Sequence, residues 1–207
     1  HHSELPALMG DLEGFLHNRR IDVPDLMRIA MAHYQFETIH PFLDGNGRIG
    51  RLLITLFLVS NKILVKPTLY LSAYFEKHRQ VYFDSLMSVR TSNDILPWIR
   101  FFLVAVRETS VEGAMTLKRV LELREEIEGV RLPGLGRKLP IAMKLMNYLY
   151  KTPIITVADV GSALQVTIKT ANLLIGDLMR LGILQEITGN RRNRVFAFKE
   201  YLGLFRD

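Results

Sequence analysis

The chain has no cysteine. That excludes a disulfide framework, a thiolate metal site and a cysteine nucleophile, and it fits a reducing cytoplasm. No stretch has the layout of a signal peptide. The longest apolar run, from Leu52 to Val59, is bracketed by Arg51 and by Asn61-Lys62 and is too short to span a bilayer. The first 130 residues have no surplus of positive charge, with 15 Lys and Arg against 16 Asp and Glu. Residues 131–207 carry 12 against 5, so the basic excess behind the formal charge of +6 sits in the last third. This asymmetry points to two domains, one of them facing nucleic acid or another acidic partner. With 207 residues, 48% of them hydrophobic, the chain can bury a real core in one or two domains.

The chemistry-bearing residues concentrate in one stretch, Ile39-His40-Pro41-Phe42-Leu43-Asp44-Gly45-Asn46-Gly47-Arg48-Ile49-Gly50-Arg51. A polar, glycine-rich loop here feeds an apolar run, the pattern of a loop entering a buried helix. The first N–H groups of such a helix are unpaired and lie at the positive end of its dipole, so the helix start suits an anion. The glycines let the backbone turn sharply and approach a ligand. Arg48 and Arg51 are three apart, share a helix face and suit a chain of phosphates. Asp44 is a hard oxygen ligand of the kind Mg²⁺ on a nucleotide takes. His40 carries an imidazole, which can accept a proton from a hydroxyl. Alone, a histidine before proline or a Gly-Asn-Gly reads as a turn. Together these residues describe a site where an alcohol attacks a nucleotide phosphate. Phe42 reads as an apolar anchor for the loop, and Ile49 and Gly50 as part of the nucleotide-binding stretch or as packing at the helix start.

The segment resembles the Fic motif, His-x-Phe-x-(Asp/Glu)-Gly-Asn-Gly-Arg-x-x-Arg, at every fixed position. The likeness continues through Leu69-Tyr70-Leu71-Ser72-Ala73-Tyr74-Phe75 and on to the C-terminus. It is similar to the bacterial Fic subgroup with an appended winged helix. The resemblance implies a mainly α fold, a Fic-type helical bundle followed by a small winged helix-turn-helix domain of α+β type. It implies a protein adenylyltransferase, moving AMP from ATP to a Ser, Thr or Tyr hydroxyl of a target protein or of itself. His40 would be the general base. Gly45, Asn46, Gly47, Arg48, Ile49, Gly50 and Arg51 would bind the nucleotide, and Asp44 would hold Mg²⁺. Arg48 is expected on the β-phosphate and Arg51 on the γ-phosphate. An aromatic pair lining the nucleotide pocket carries over to Tyr82 and Phe83. A homodimer is compatible with this reading.

Two family features are missing from the sequence. No (Ser/Thr)-x-x-x-Glu-(Gly/Asn) pattern of an inhibitory helix occurs: Glu13-Gly14, Glu112-Gly113 and Glu128-Gly129 have Met9, Glu108 and Arg124 four residues before the glutamate. Nothing upstream of Leu5 can form the target-docking flap, so the expectation is the C-terminal portion of a longer protein. Rival readings are a DNA-binding regulator whose Fic-like half senses nucleotide, and a transferase of UMP, phosphocholine or phosphate. Gly47 argues against the phosphate-transferring branch, where lysine is typical.

Leu5, Leu8, Leu12, Phe15 and Leu16 recur at helical spacing, ending near His17-Asn18-Arg19. Asp22-Val23-Pro24 reads as the N-cap of a second helix running into the motif. His33 falls on its apolar face and reads as a hydrogen-bonded core histidine. Phe75, Tyr82, Phe83 and Leu86 suggest one helix with an aromatic stripe. Ser92-Asn93-Asp94 caps a long helix, and a further charged run spans Val111 to Glu128. Gly129, Pro133, Gly134 and Gly136 mark 129–138 as a linker between a catalytic core (1–130) and the winged-helix domain (139–207). In that domain three helices precede β-rich runs at Ile183–Ile187 and Val195–Phe198, joined by a basic tip. DNA is a candidate partner through Lys169 on the third helix and Arg191, Arg192 and Arg194 on the tip. The alternative is that the domain presents a protein partner or packs on the core.

Overall fold

Pro24 closes the entry to the helix that ends in the motif, and Asp25 lies in its first turn, where a negative charge meets the positive end of the helix dipole. Pro24, not Asp22, is the N-cap, and no side chain caps this end. The computed structural model describes residues 2–18 and 20–205. His1 and Arg19 of the regions read above lie outside them. The chain divides into two compact units, His1–Gly113 and Ala114–Asp207.

The first unit holds α1 (Leu5–His17), α2 (Asp25–Ile39), α3 (Asn46–Ser60), α4 (Leu71–Lys77), α5 (Arg79–Ser92) and the N-terminal part of α6 (Leu96–Glu126). The expected aromatic-striped helix is therefore two helices, broken at His78. Asp94 Oδ1 accepts from the Leu96 N–H at 3.0 Å and so caps α6. Ile29, Ala30, Phe36, Ile54, Leu58, Phe75, Trp98 and Phe102 form the core. Two polar bonds fasten α2 inside it. The Trp98 indole N–H donates to the Ala30 carbonyl at 2.8 Å. The buried Arg28 guanidinium donates to the carbonyls of Phe15 and Ile21, both at 2.8 Å, and so ties α2 to the end of α1 and the segment after it.

The second unit opens with the last turns of α6, where Leu123 enters its core. The segment expected as a linker is not a spacer. Residues Ile127–Arg131 form a π-helical turn and Leu132–Lys138 a 3-10 segment, and Ile127 and Leu132 are fully buried. The apolar cover found by Ile127 and Leu132 outweighs the breakers. Then come α7 (Leu139–Leu149), β1 (Ile154–Thr156), α8 (Val157–Leu164), α9 (Ile168–Arg180), β2 (Gln185–Glu186), β3 (Val195–Ala197) and α10 (Lys199–Gly203). Thr156 and Asp159 form a capping box at α8, and Thr167 caps α9. The sheet is antiparallel in the order β1-β3-β2, with Ile155 opposite Phe196 and Glu186 opposite the same residue on the other side. β1 and α10 escape the sequence reading because each is too short to show a period.

Candidate active site

α2 ends in a left-handed turn. His40 takes φ 51° and ψ 59° as its C-cap, and its N–H donates to the Phe36 carbonyl at 3.0 Å. A non-glycine residue in this region costs of order 1 kcal/mol or more, and such strain concentrates where a side chain must be aimed. The imidazole is exposed. Five residues later Gly45, at φ 83°, is the N-cap of α3 with no side-chain cap. The first amides of α3 thus remain available to an anion.

Asn46 welds the loop between the two helices. It is buried, its Oδ1 accepts from the Phe42 N–H at 2.9 Å, and its Nδ2 donates to the Phe42 carbonyl at 2.5 Å. Both ends of its amide are therefore spent, and the side chain expected on a phosphate fixes the loop instead. Phe42 anchors through its backbone, while its ring stays partly exposed beside Phe36.

The arginines fold over the glycines. A Cβ at Gly45 would lie 3.3 Å from Arg48 Nη2, and one at Gly47 would lie 3.2 Å from Arg51 Nη1. Arg48 Nη2 also donates to Asp44 Oδ2 at 3.1 Å, with both side chains exposed. Arg51 Nε donates to Ser72 Oγ on α4 at 3.1 Å. Ser72 is a residue whose part sequence reading missed; it lies 21 positions away and no local pattern links the two. Among the described residues no group of three or more His, Asp or Glu could hold a metal ion. Asp44 alone fits a Mg²⁺ that arrives on phosphates, which needs only one or two carboxylates from the protein.

Gly50 and Ile49 both meet packing surroundings. A Cβ at Gly50 would lie 2.3 Å from Glu37 Oε1 and 3.1 Å from His33 Cε1, so only glycine lets α3 approach α2 this closely. Ile49 lines an apolar groove of about 600 Å³ with Phe42, Leu52, Leu56, Met9 and Leu16, which agrees with the packing alternative for it.

Behind the loop sits a buried polar cluster. His33 is fully buried, and its Nε2 shares a 3.0 Å hydrogen bond with the Tyr82 hydroxyl. Nδ1 lies against the Gly50 backbone without a hydrogen bond of ordinary geometry. Burial pulls the imidazole pKa down to about 4, so His33 stays neutral at pH 7. Its reading as a core histidine stands. Glu37 is 4.0 Å away, and burial pushes its carboxyl up while the charges of His40 and Arg51 pull it back. Tyr82, expected on the nucleotide pocket, is instead interior: it stacks on Phe75 at 4.9 Å, and burial raises its hydroxyl pKa. Phe83 is partly exposed, beneath the Arg79 guanidinium at 5.7 Å.

Comparison with known proteins finds similarity to Fic proteins. Residues 1–58 match the model of the Fic/DOC family. Protein adenylyltransferase Fic of Culex quinquefasciatus is 36% identical over 107 residues, covering 51% of this chain and 20% of that protein. A probable protein adenylyltransferase of Aquifex aeolicus is 43% identical over 61 residues, 29% of this chain and 18% of its own length. A crystallised Fic family protein from Desulfovibrio desulfuricans G20 shares the fold at TM-score 0.50 and 21% identity, over 95% of this chain and 55% of that one. Through its motif-bearing segment, residues 1–58, the chain is similar to the Fic/DOC family. It spans about a fifth of the length of those curated relatives.

Proposed function

We propose that the chain carries the active site of a protein adenylyltransferase. ATP would lie with its phosphates over Gly45 and Gly47 and the first amides of α3. Those amides, rather than the Asn46 side chain, would meet the charge developing on the α-phosphate. Arg51, held by Ser72, would grip the γ-phosphate. Arg48 would leave Asp44 for the β-phosphate. Asp44 would hold Mg²⁺, which when bound offsets phosphate charge. The target hydroxyl oxygen attacks the α-phosphorus, and its proton passes to His40. The bond from the α-phosphorus to the bridging oxygen breaks, and pyrophosphate leaves with the electron pair. The observation that carries this reading is the exposed His40, held in a left-handed turn beside an uncapped helix start over which two arginines fold. The relatives named protein adenylyltransferase support ATP as donor and a protein as acceptor. No helix among the described residues is long and apolar enough to cross a membrane, and we place the reaction in the cytoplasm.

The test is transfer of label from α-labelled ATP to protein in a cell lysate with magnesium. His40→Ala is expected to fold and bind ATP but to transfer at least about a hundredfold more slowly, since a general base is typically worth 10²–10⁴. Undiminished transfer by that variant would remove His40 from the role. ATP binding without any transfer by the wild type would favour a nucleotide sensor. For the second unit, we read the order α7, α8, α9 and β2–β3 hairpin, with β1 completing the sheet, as a winged helix-turn-helix.

A further inference from the structure

The surface of the second unit made by α9 and the β2–β3 hairpin is positive for a specific reason. From Thr167 to Arg194 the chain has five Lys and Arg and two acids. Both acids are consumed within the unit. Asp177 is buried and accepts from Lys138 Nζ at 2.6 Å and from Arg180. Glu186 turns back into its own hairpin, where Oε1 accepts from the N–H of Thr188 at 2.8 Å and of Gly189 at 2.9 Å, and from the Thr188 hydroxyl. Those bonds hold its carboxyl below the usual range. Lys169 on α9 and Arg191, Arg192 and Arg194 on the hairpin are all exposed.

Helix and hairpin are also tied into one face. Arg194 Nη2 donates to Asn172 Oδ1 on α9 at 3.3 Å, and its guanidinium lies 5.3 Å from the Phe196 ring centroid. The first consequence is that the base of the hairpin is held beside the helix. The second concerns base reading. Asn172 accepts from Arg194 and donates to the Ile168 carbonyl at 3.1 Å, so both atoms of its amide are already engaged within the unit. Thr170 is hydrogen-bonded to Thr167 at 3.0 Å. Ile168 and Leu173 fill the rest of the outward face with apolar surface.

We propose that this face binds double-stranded DNA through backbone phosphates, with α9 against the major groove and the hairpin arginines on the flanking strand, and with little sequence preference. A helix of 13 residues matches a groove that admits a helix, and three unpaired cations, Lys169, Arg191 and Arg192, match the phosphate line beside it. The inference does not depend on the transferase reading.

The test is anisotropy of a labelled 25-base-pair duplex with the full chain at 50–200 mM salt. Three phosphate contacts give a log–log salt slope of about −2.7. Arg191→Ala/Arg192→Ala removes exposed side chains only, and it is expected to flatten that slope by about 1.8 while the circular dichroism spectrum stays unchanged. Two unrelated duplexes are expected to bind within about tenfold of each other, as phosphate-led binding requires. The proposal is overturned by no binding at about 10 µM protein in 50 mM salt, or by a slope that the double variant leaves intact. Competition by polyglutamate equal to that by unlabelled duplex overturns it in favour of an acidic protein partner.

Discussion

The two units bury different things. In the first, Arg28, His33, Asn46 and Ser85 are buried among the apolar residues; in the second, Asp177 is the one buried charged residue among the described residues. The first unit's buried polar groups lie on α2, at the start of α3 and on α5, the elements that carry or back the motif loop. Three of them fix a direction. Arg28 holds the entry to α2, Asn46 sets the loop, and His33 with Tyr82 backs the loop from behind. Apolar burial is not directional and could not specify a left-handed His40 or a bare helix start. Hydrogen bonds in a low-dielectric interior can, because an unmade bond there is costly. The second unit needs only a firm platform for a surface. A core of Leu145, Met146, Leu149, Ile175, Leu178 and Phe196 supplies it.

That contrast can be broken experimentally. The largest effect is expected from Leu145→Ala, which removes a fully buried side chain from α7 and should cost about 2–5 kcal/mol in urea unfolding of the second unit. A cost under about 1 kcal/mol would mean that this core is looser than its burial indicates. His33 comes next. Its pKa is about 4 folded against 6.5 in the unfolded chain. The unfolded state therefore takes the proton first. The contribution of His33 is full above pH 6.5 and is lost as pH falls toward 4, by about 3 kcal/mol. Glu37, whose carboxyl is raised, works in the opposite sense and offsets part of it. Unfolding measured from pH 7 to pH 4 should show a weaker acid loss in His33→Gln, and an identical loss would sink the account. The smallest of the three belongs to Asn46→Ala. It strips both Phe42 backbone groups of their partner, costs on the order of 1–2 kcal/mol and should speed amide exchange at residue 42. Unchanged protection there would show that the loop holds without its clip.

Sequence legibility follows the range of the forces involved. α1 and α3 ended where their periodicity and flanking residues placed them. These are local effects, settled within a few residues. The reading failed where a distant partner decided. The 129–138 glycines and proline looked like a linker until Ile127 and Leu132 found cover. Tyr82 could not be told from a pocket aromatic, because His33, which takes its hydroxyl, lies 49 positions away. Gly50 read either as part of the nucleotide-binding stretch or as packing, and Glu37 and His33 beside it agree with packing.

The sequence by itself determined the motif loop, the helix that follows it and the likeness to the Fic/DOC family, because spacing within a dozen residues carries all of that. Only the tertiary structure decided which of those residues face outward and which hold the loop in place. Asn46 and Gly50 are spent on internal contacts, and Ser72 is drawn to Arg51 from another helix. The physical reason is that a polar side chain binds whatever donor or acceptor packing brings within reach, and packing is a property of the whole chain.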